Sequence, residues 1–357
     1  MSRAVDWLES LSPWPKDGFG LERMRALLSE LGDPQLEFPS IHVVGTNGKS
    51  TTTRTIEETL LKEGVPTGAY TSPHVTGWAE RIRVGGAEVD AERVLARVRA
   101  PAVALGATQF EALTAAALAE FADAGVEAAA IEAGHGGRHD ATNVLRSPVQ
   151  VLTNVALEHT EVLGSTRAAI AEEKLAVVRF GSTVVLGEPE WEPLALRNGA
   201  AWVVVETGGN RAVAATATAA FLGRTVEPAE VRLPGRLDVR GDEIWDGAHT
   251  PEAVRYAAAT LPRPGSIVAS ILADKDVDAM LAELGRLAPV FVATSSSSPR
   301  ALPATDLAAR AAGTFDRVEA VDDPPGALLR AHELGEPVLV TGSLYLLADL
   351  WPSKVPA

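Results

Sequence analysis

Three features are missing from this sequence, and each absence excludes a class of protein. There is no cysteine among the 357 residues, so disulfide bonds and thiolate metal sites are excluded. There is no run of lysine and arginine, and the formal net charge is −15. Because such a chain repels a phosphate backbone, we expect no nucleic acid among its partners.

Long apolar runs are missing as well. No stretch long enough to span a membrane is free of charged residues, glycine or proline. The first fifteen residues are interrupted by Asp6 and Glu9 and lack the continuous apolar core of a signal peptide. We therefore expect a cytoplasmic protein without a membrane partner.

The composition is that of a globular protein, with 46% hydrophobic and 22% charged residues. The length suggests about two domains. Near residues 233–236 (Leu-Pro-Gly-Arg) the regular pattern is interrupted by charged residues, proline and glycine. The sequence therefore predicts a boundary at about residue 230, with domains 1–230 and 231–357.

Apolar runs typical of strands alternate with helical patterns through both predicted domains. This alternation predicts an α/β protein, with a mostly parallel sheet covered by helices on both faces. In the first domain we predict strands at 41–44, 67–70, 128–131, 149–155 and 183–186, and helices at 50–63, 110–124 and 166–178. In the smaller, Rossmann-like second domain we predict strands at 243–245, 266–272, 290–294, 317–320 and 337–341.

The most informative motif is residues 41–52, Ile-His-Val-Val-Gly-Thr-Asn-Gly-Lys-Ser-Thr-Thr. An apolar strand leads into a turn (residues 45–49, here called the phosphate loop), in which Gly45 and Gly48 allow backbone N–H groups to face an anion. Lys49 offers a charge to the phosphates of a nucleotide, and Ser50 and Thr51 offer hydroxyls to Mg²⁺. The alternative is a glycine turn that caps a helix, with Lys49 merely solvated.

Other polar residues follow predicted strands directly. Ser72 follows residues 67–70, Glu132 follows 128–131, and His159 comes a few residues after 149–155. Ligands of open α/β sheets bind beyond the carboxyl ends of the strands. We therefore expect these side chains on the same edge as Lys49, where they can complete a Mg²⁺ shell.

Two further positions stand out. In the second domain, Asp246 and His249 follow a strand, and we expect them to face the nucleotide; Pro251 is placed to open the next helix, with Thr250 as its cap. In the first domain, Lys174 belongs to the helix after His159. From the residues alone it reads as an exposed lysine that pairs with a nearby glutamate.

Taken in order along nearly the whole chain, the motifs resemble the folylpolyglutamate synthase/dihydrofolate synthase branch of the Mur ligase superfamily. The most specific is residues 132–143, Glu-Ala-Gly-His-Gly-Gly-Arg-His-Asp-Ala-Thr-Asn. The other motifs lie at residues 20–23, 31–35, 42–51, 70–74, 80–82, 109–114, 157–160, 234–237, 246–251 and 340–345.

The resemblance implies a ligase with an ATP-binding, Mur ligase-like domain and a C-terminal glutamate-ligase domain. ATP phosphorylates the carboxylate of dihydropteroate or of a reduced folate, and the amine of L-glutamate then attacks the acyl phosphate. Mg²⁺, and a monovalent cation such as K⁺, are the implied cofactors. The implied partners are these small molecules alone, and the implied state is a monomer.

The resemblance also implies roles for individual residues. Catalytic roles fall to Lys49, His159, Lys174 and His249. The ATP contacts are Thr46, Asn47, Gly48, Lys49, Ser50, Thr51, Asn210, Arg236 and Asp246. The metal ligands are Ser72, Glu132, His159, Thr51 and Lys174, the last as a carbamate. The substrate contacts are Leu21, Glu22, Arg23, Met24, Phe110, Glu111, His139, Asp140 and Ser343.

Two alternatives remain. The family usually has glycine after the loop lysine, whereas Ser50 stands there as in the peptidoglycan-building Mur ligases. Those enzymes generally carry an additional N-terminal domain, and the segment before Ile41 is too short to form one. The second alternative is a nucleotide-binding regulatory protein without catalysis, which would have no need of Glu132, His159 and Lys174 together.

Overall fold

The structure is a computed structural model that describes residues 3–15, 18–157 and 160–351. The chain divides into two compact units. Unit 1 comprises Met1–Pro73 and Trp78–Val231, and unit 2 comprises His74–Gly77 and Arg232–Ala357. Within the described stretches, no helix combines the length and the apolar character needed to cross a bilayer.

Unit 1 is built on an eight-stranded sheet with the order β4-β3-β2-β5-β1-β6-β7-β8. The six strands from β2 to β8 in this order are parallel, and β3 and β4 add an antiparallel edge. The strands are β1 (Ser40–Val44), β2 (Thr67–Tyr70), β3 (Ile82–Val84), β4 (Ala87–Glu88), β5 (Ala128–Glu132), β6 (Val149–Leu152), β7 (Thr183–Leu186) and β8 (Trp202–Val205).

Helices cover both faces of this sheet. The central strands β1 and β5 are buried along their whole length, as expected for parallel strands covered on both sides. The helices are α1 (Ala4–Ser10), α2 (Glu22–Glu30), α3 (Lys49–Lys62), α4 (Ala91–Ala104), α5 (Gln109–Asp123), α6 (Thr160–Leu163), α7 (Arg167–Lys174), α8 (Glu192–Arg197) and α9 (Asn210–Leu222).

Unit 2 has a six-stranded sheet with the order β13-β12-β11-β14-β10-β9, in which only the β9–β10 pair is antiparallel among the described strands. Its strands are β9 (Asp238–Arg240), β10 (Glu243–Trp245), β11 (Ser266–Ala269), β12 (Val290–Ala293), β13 (Arg317–Ala320) and β14 (Val338–Thr341). Its helices are α10 (Pro251–Thr260), α11 (Val277–Leu284), α12 (Ala304–Ala311), α13 (Pro324–Leu334) and α14 (Leu344–Leu350).

The predicted fold class is confirmed: a large, mostly parallel sheet is followed by a smaller α/β unit. Four predicted strands are longer than the observed ones, and the predicted strand 337–341 begins one residue before β14. Residues 153–155, 270–272 and 294 lie beyond the ends of β6, β11 and β12. In unit 1 the hairpin β3–β4, the edge strand β8 and the helices α1, α2, α4, α6, α8 and α9 were not predicted.

Candidate active site

The phosphate loop requires glycine at two positions. Gly45 and Gly48 both have positive φ, +149° and +81°, a region that side chains rarely adopt. A Cβ atom on Gly45 would lie 1.8 Å from Oγ1 of Thr153, and one on Gly48 would lie 2.3 Å from Oδ1 of Asn210. The loop therefore packs directly against the end of β6 and the start of α9.

Residues that follow β6 hold the loop in shape. The backbone N–H of Thr46 donates to the carbonyl of Asn154 (2.9 Å), and that of Asn47 donates to Oδ1 of Asn154 (3.0 Å). The Thr153 hydroxyl donates to the carbonyl of Asn47 (2.7 Å). The protein itself therefore fixes the loop, and the amides of Thr46 and Asn47 already have acceptors.

The loop ends at the N-terminus of α3, a helix of 14 residues whose N-cap, Gly48, provides no side-chain hydrogen bond. The first-turn N–H groups of such a helix suit a phosphate. Lys49 is half-buried and its Nζ donates to the carbonyl of Thr46 (3.2 Å). Ser50 and Thr51 follow in the first turn of α3. Lys49 and the start of α3 could therefore hold an anion, whereas the amides of Thr46 and Asn47 donate to Asn154 instead.

Glu132, the last residue of β5, joins two predicted parts of the site. Its carboxylate is 1% exposed. One oxygen accepts from the Ser50 hydroxyl (3.1 Å), and the other accepts from the backbone N–H of Ser72 (3.0 Å). The structure thus brings the phosphate loop helix, Glu132 and Ser72 together.

Mg²⁺ prefers oxygen ligands, and the Glu132 carboxylate with the hydroxyls of Ser50 and Ser72 is a donor set of this kind. In the part of the chain that the structure describes, no group of three His, Cys, Asp or Glu residues could hold a metal ion. A shell here would need hydroxyls, water or phosphate oxygens as well. His159, a predicted ligand, lies outside the described residues.

Lys174 is not the exposed lysine that its local sequence suggested. The side chain is 1% exposed, and its Nζ donates to the carbonyl of Gly45 in the phosphate loop (2.9 Å). The physical reason is the helical period: Ile170 and Ala171, four and three residues earlier on α7, are buried too, so Lys174 lies on the inward face. Its amino group thus belongs to the candidate site.

Apart from Ser343, which belongs to unit 2, the predicted substrate contacts lie on neighbouring elements of unit 1. A Cβ atom on Gly134 would lie 2.4 Å from Cζ of Phe110, and the rings of Phe110 and Tyr70 lie 5.9 Å apart. The guanidinium of Arg23 donates to Glu111 (2.8 Å), which ties α2 to α5.

Several of these residues have structural duties. Glu111 also accepts from Thr108 in the capping box of α5, and Met24 is fully buried in the core. Leu21 is the buried N-cap residue of α2, and Glu22 is exposed in its first turn.

The two polar residues that were predicted in the turn after β5 differ in their exposure to solvent. His139 is exposed, whereas Asp140 is buried and accepts from the backbone N–H groups of His135 (2.7 Å) and Thr142 (3.0 Å). Burial raises the pKa of Asp140, and these hydrogen bonds oppose the rise. Asp140 therefore organises the turn in which His135 and His139 lie.

In unit 2, Asp246 ties the residue before β9 to the turn after β10. Its oxygens accept from the backbone N–H groups of Leu237 (2.8 Å) and Ala248 (2.9 Å). Burial raises the pKa of Asp246, while these bonds and the charge of Arg236 lower it. A Cβ atom on Gly247 would lie 2.7 Å from Nη1 of Arg236, so Gly247 gives the guanidinium room beside the strand end.

The remaining predictions in unit 2 lie at the ends of two neighbouring strands, β10 and β14. Nδ1 of His249 lies 2.9 Å from the carbonyl of Gly247. Thr250 caps α10, which opens with Pro251, as predicted. Ser343 is 1% exposed, and its hydroxyl accepts from the backbone N–H of Tyr345 (3.1 Å).

Two residues that shape the loop, Thr153 and Asn154, were not predicted as part of the site. The signal was present in the sequence, because both follow the apolar run of β6 directly.

These features are those of a Mur ligase. Residues 43–186 match the Mur ligase middle domain, and residues 235–344 match the glutamate ligase domain of Mur ligases. The dihydrofolate synthase/folylpolyglutamate synthase of Escherichia coli (strain K12) is 31% identical over 97% of this chain and 93% of its own length. The enzyme of the same description from Mycobacterium tuberculosis is 30% identical over 87% and 82%.

Solved structures agree. E. coli FolC in complex with DHPP and ADP has a TM-score of 0.87 at 28% identity, covering 98% of this chain and 97% of the other. The bifunctional folylpolyglutamate synthase/dihydrofolate synthase of Yersinia pestis with Mn, AMPPNP and L-glutamate bound has a TM-score of 0.85 at 29% identity, covering 99% and 98%. The chain belongs to the dihydrofolate synthase/folylpolyglutamate synthase family and is an ATP-dependent ligase.

Proposed function

We propose that this chain joins L-glutamate to a folate-type carboxylate, making dihydrofolate from dihydropteroate, extending folylglutamate chains, or both. The observation that supports this most directly is Glu132, a buried carboxylate bonded to Ser50 beside the phosphate loop and to the backbone of Ser72. The names of the relatives support the choice of substrates.

The first step is phosphoryl transfer. A carboxylate oxygen of the folate substrate attacks the γ-phosphorus of ATP, and the bond to ADP breaks, which gives an acyl phosphate and ADP. Both reactants are anions, so positive charge is needed where they meet. Lys49, with the first-turn amides of α3, supplies it on the protein side. Mg²⁺ held by Glu132, Ser72 and Ser50 or Thr51 would neutralise further charge on the phosphates.

The second step forms the amide. The uncharged amine of glutamate attacks the acyl carbon, inorganic phosphate leaves, and the nitrogen loses a proton. We assign Arg236, Asp246 and Asn210 to ATP binding, and His249 with Ser343 to the region of the incoming glutamate. We assign the Leu21–Met24 segment, Phe110, Glu111, His139 and Asp140 to the acceptor. The proposed working unit is a monomer.

Product formation with a panel of acceptors tests the proposal. With ATP, Mg²⁺, L-glutamate and dihydropteroate or tetrahydrofolate, we expect ADP and phosphate only when acceptor and amine are both present. Mass spectrometry of the product gives the number of glutamates added. Turnover with a UDP-muramoyl acceptor and none with any pteroate would refute the folate assignment, and nucleotide binding without turnover on any acceptor would refute catalysis.

The metal role of Glu132 has its own test. Glu132→Gln keeps the size of the side chain and removes its charge, so we expect turnover that depends on Mg²⁺ to fall much more than ATP binding measured without metal. Glu127→Gln, which changes an exposed glutamate directly before β5, is the matched control. Equal losses of turnover and metal-free binding in Glu132→Gln would mean that Glu132 is structural.

A further inference from the structure

Unit 1 has a cavity away from the phosphate loop, although Leu21, a predicted substrate contact, also lines it. Its volume is about 810 Å³, within the range of about 300–1,000 Å³ that is typical of small-molecule sites. Three arginines line it, each from a different segment of the chain. They are Arg25 of α2, Arg146 before β6 and Arg179 before β7.

The cavity lies at the N-terminal ends of the parallel strands, whereas the phosphate loop lies at their C-terminal ends. Its lining segments lead into β1, β6 and β7, which are neighbouring parallel strands. The phosphate loop follows β1. The two places are therefore separated by the length of that five-residue strand, roughly 16 Å. Ligands of such sheets normally bind beyond the C-terminal ends of the strands. The position of this cavity is therefore not that of the usual ligand site.

The three guanidinium groups form a positive cluster in an acidic protein. Within the described residues, none of them takes part in an ion pair, although the chain has a net charge of −15. Burial lowers the pKa of Arg179, and the charges of Arg25 and Arg146 lower it further, so the three groups repel one another. An anion bound among them would remove that repulsion.

Hydrogen bonds to neutral groups fix the orientation of the Arg179 guanidinium. Its Nε donates to the carbonyl of Leu145 (2.9 Å), and its Nη2 donates to the carbonyl (2.7 Å) and side-chain oxygen (2.6 Å) of Asn143. Neutral acceptors thus orient the guanidinium without cancelling its charge. The acidic residue of the cavity, Asp33, accepts from the side chain of Gln35 (3.0 Å).

The rim of the cavity carries an aromatic ring. Phe180, next to Arg179, is 96% exposed. A phenyl ring in water beside arginines can stack against a flat ring whose anionic groups reach the guanidinium groups. An exposed phenyl ring beside guanidinium groups that form no ion pair within the described residues favours a ligand with both a flat ring and anionic groups.

We propose that this arginine pocket binds a small molecule in which a flat heteroaromatic ring is joined to a chain of at least two anionic groups, as an effector separate from the substrates in the active site. Two kinds of molecule have this chemistry, a nucleoside polyphosphate and a pteridine with a glutamate tail. The site is independent of the proposed function, because binding alone defines it.

Isothermal titration with three probes tests the proposal: ADP, pteroyltriglutamate and inorganic tripolyphosphate, the last of which has no ring. The variant Arg25→Gln/Arg146→Gln removes two exposed charges. Arg232→Gln/Arg263→Gln is the matched control, since it changes the net charge equally at exposed positions of unit 2. Phe180→Ala tests the ring. Circular dichroism and thermal unfolding verify that each variant is folded.

We expect one of the two ring-bearing probes to occupy a site that is additional to the active site. Its affinity should fall at least tenfold in Arg25→Gln/Arg146→Gln and about threefold or more in Phe180→Ala, and stay unchanged in the control. The probe that binds identifies the source. Equal affinity in the double variant and the control would overturn the proposal. So would binding of tripolyphosphate alone, or binding that Phe180→Ala leaves unchanged.

Discussion

Lys174 shows how much one side chain can contribute to this site. It ends α7, yet its amino group reaches the carbonyl of Gly45 in the phosphate loop. A buried amine usually needs such a partner, because an unpaired buried charge is costly. The family resemblance implies a carbamate on Lys174, which would replace the cation by a carboxylate-like group beside the phosphate loop.

Replacing Lys174 by alanine should therefore lower kcat by about 100-fold or more, the range seen when a preorganised electrostatic group is lost. If the carbamate is the active form, short carboxylates such as acetate should restore part of the activity. Steady-state rates with and without acetate measure this. Lys62→Ala, an exposed lysine of α3, is the control. Unchanged turnover in Lys174→Ala would show that the lysine is not needed.

His42 makes folding depend on pH. It is buried in β1, with Nε2 2.8 Å from the Thr142 hydroxyl, and burial, followed by the charge of Arg179, lowers its pKa from 6.5 to about 3. Between these pH values the unfolded chain binds a proton here and the folded chain does not. Stability is therefore lost as the pH falls through 6.5 towards 3.

We expect His42→Gln to lose less stability than the natural protein between pH 7 and pH 5, by roughly 2 kcal/mol. The difference in stability loss is measured by urea unfolding at both pH values, with a signal that reports on unit 1. An identical pH dependence in the variant and the natural protein would contradict the assignment.

His332 provides a control of opposite sign. Burial lowers its pKa, but hydrogen bonds with Glu336 (2.9 Å) and Glu243 (3.1 Å) outweigh it, so the pKa is raised. The folded state therefore favours the proton, and this contribution is present at low pH and lost as the pH rises. His332→Gln should lower stability more at pH 5 than at pH 7.

Among the elements, the connection from β1 through the phosphate loop to α3 depends most on backbone geometry. Gly45 combines a positive φ with the absence of space for a side chain, since Thr153 lies against it. Both effects should act on the same loop and hence on nucleotide binding.

Gly45→Ala should weaken ATP binding at least tenfold, because the clash displaces the loop from the start of α3, and should destabilise the protein by about 1–3 kcal/mol. Gly64→Ala is the matched control: Gly64 also has positive φ (+82°), but no atom lies within 4 Å of a Cβ placed there. It separates backbone strain from the clash. Equal ATP affinities in the two variants would contradict the role of packing at Gly45.

The elements that could be predicted from sequence are those with a strong local pattern. The strands 67–70, 183–186, 243–245 and 317–320 have the predicted ends, because residues typical of turns lie close to both ends of each. The edge strand β8 was missed although it reads Trp-Val-Val-Val. Trp202 is 72% exposed, so the apolar residues of β8 do not mark a buried strand.

The sequence predicted the part of the candidate site that is formed by residues at the ends of parallel strands. Glu132 and Ser72 meet because parallel neighbouring strands end at one edge. The burial of Lys174 and the anchoring of the loop by Asn154 depend on how α7 and the turn after β6 pack. The positions of Asn154 after a strand and of Lys174 on the same helix face as Ile170 can be read from the sequence, but the contacts that these side chains make with the loop cannot.

In the molecule as a whole, each cluster of buried apolar residues belongs to one unit. Clusters on both faces of the large sheet lie in unit 1, and two others lie in unit 2. In unit 2, Phe291 is fully buried and its ring stacks on Phe315 at 4.6 Å. Damage to one core should therefore be felt first within its own unit.

Phe291→Ala should cost unit 2 about 3–5 kcal/mol. Hydrogen exchange followed by mass spectrometry should show lost protection in β11, β12 and β14 and unchanged protection in β1 and β5. Tyr256→Ala, which removes an exposed ring of the same unit (62% exposed), should leave protection unchanged. Equal loss in both units would show that they unfold as one.

The bonds from Thr153 and Asn154 to the phosphate loop have a kinetic consequence. A loop that must first be ordered spends part of its binding energy on lost conformational freedom, and its ligand associates slowly. Here that cost is met during folding, so an arriving triphosphate encounters a receptor of finished shape. Capture of the nucleotide should then be limited by diffusion and charge, and discrimination among nucleotides should reside in how fast each one departs.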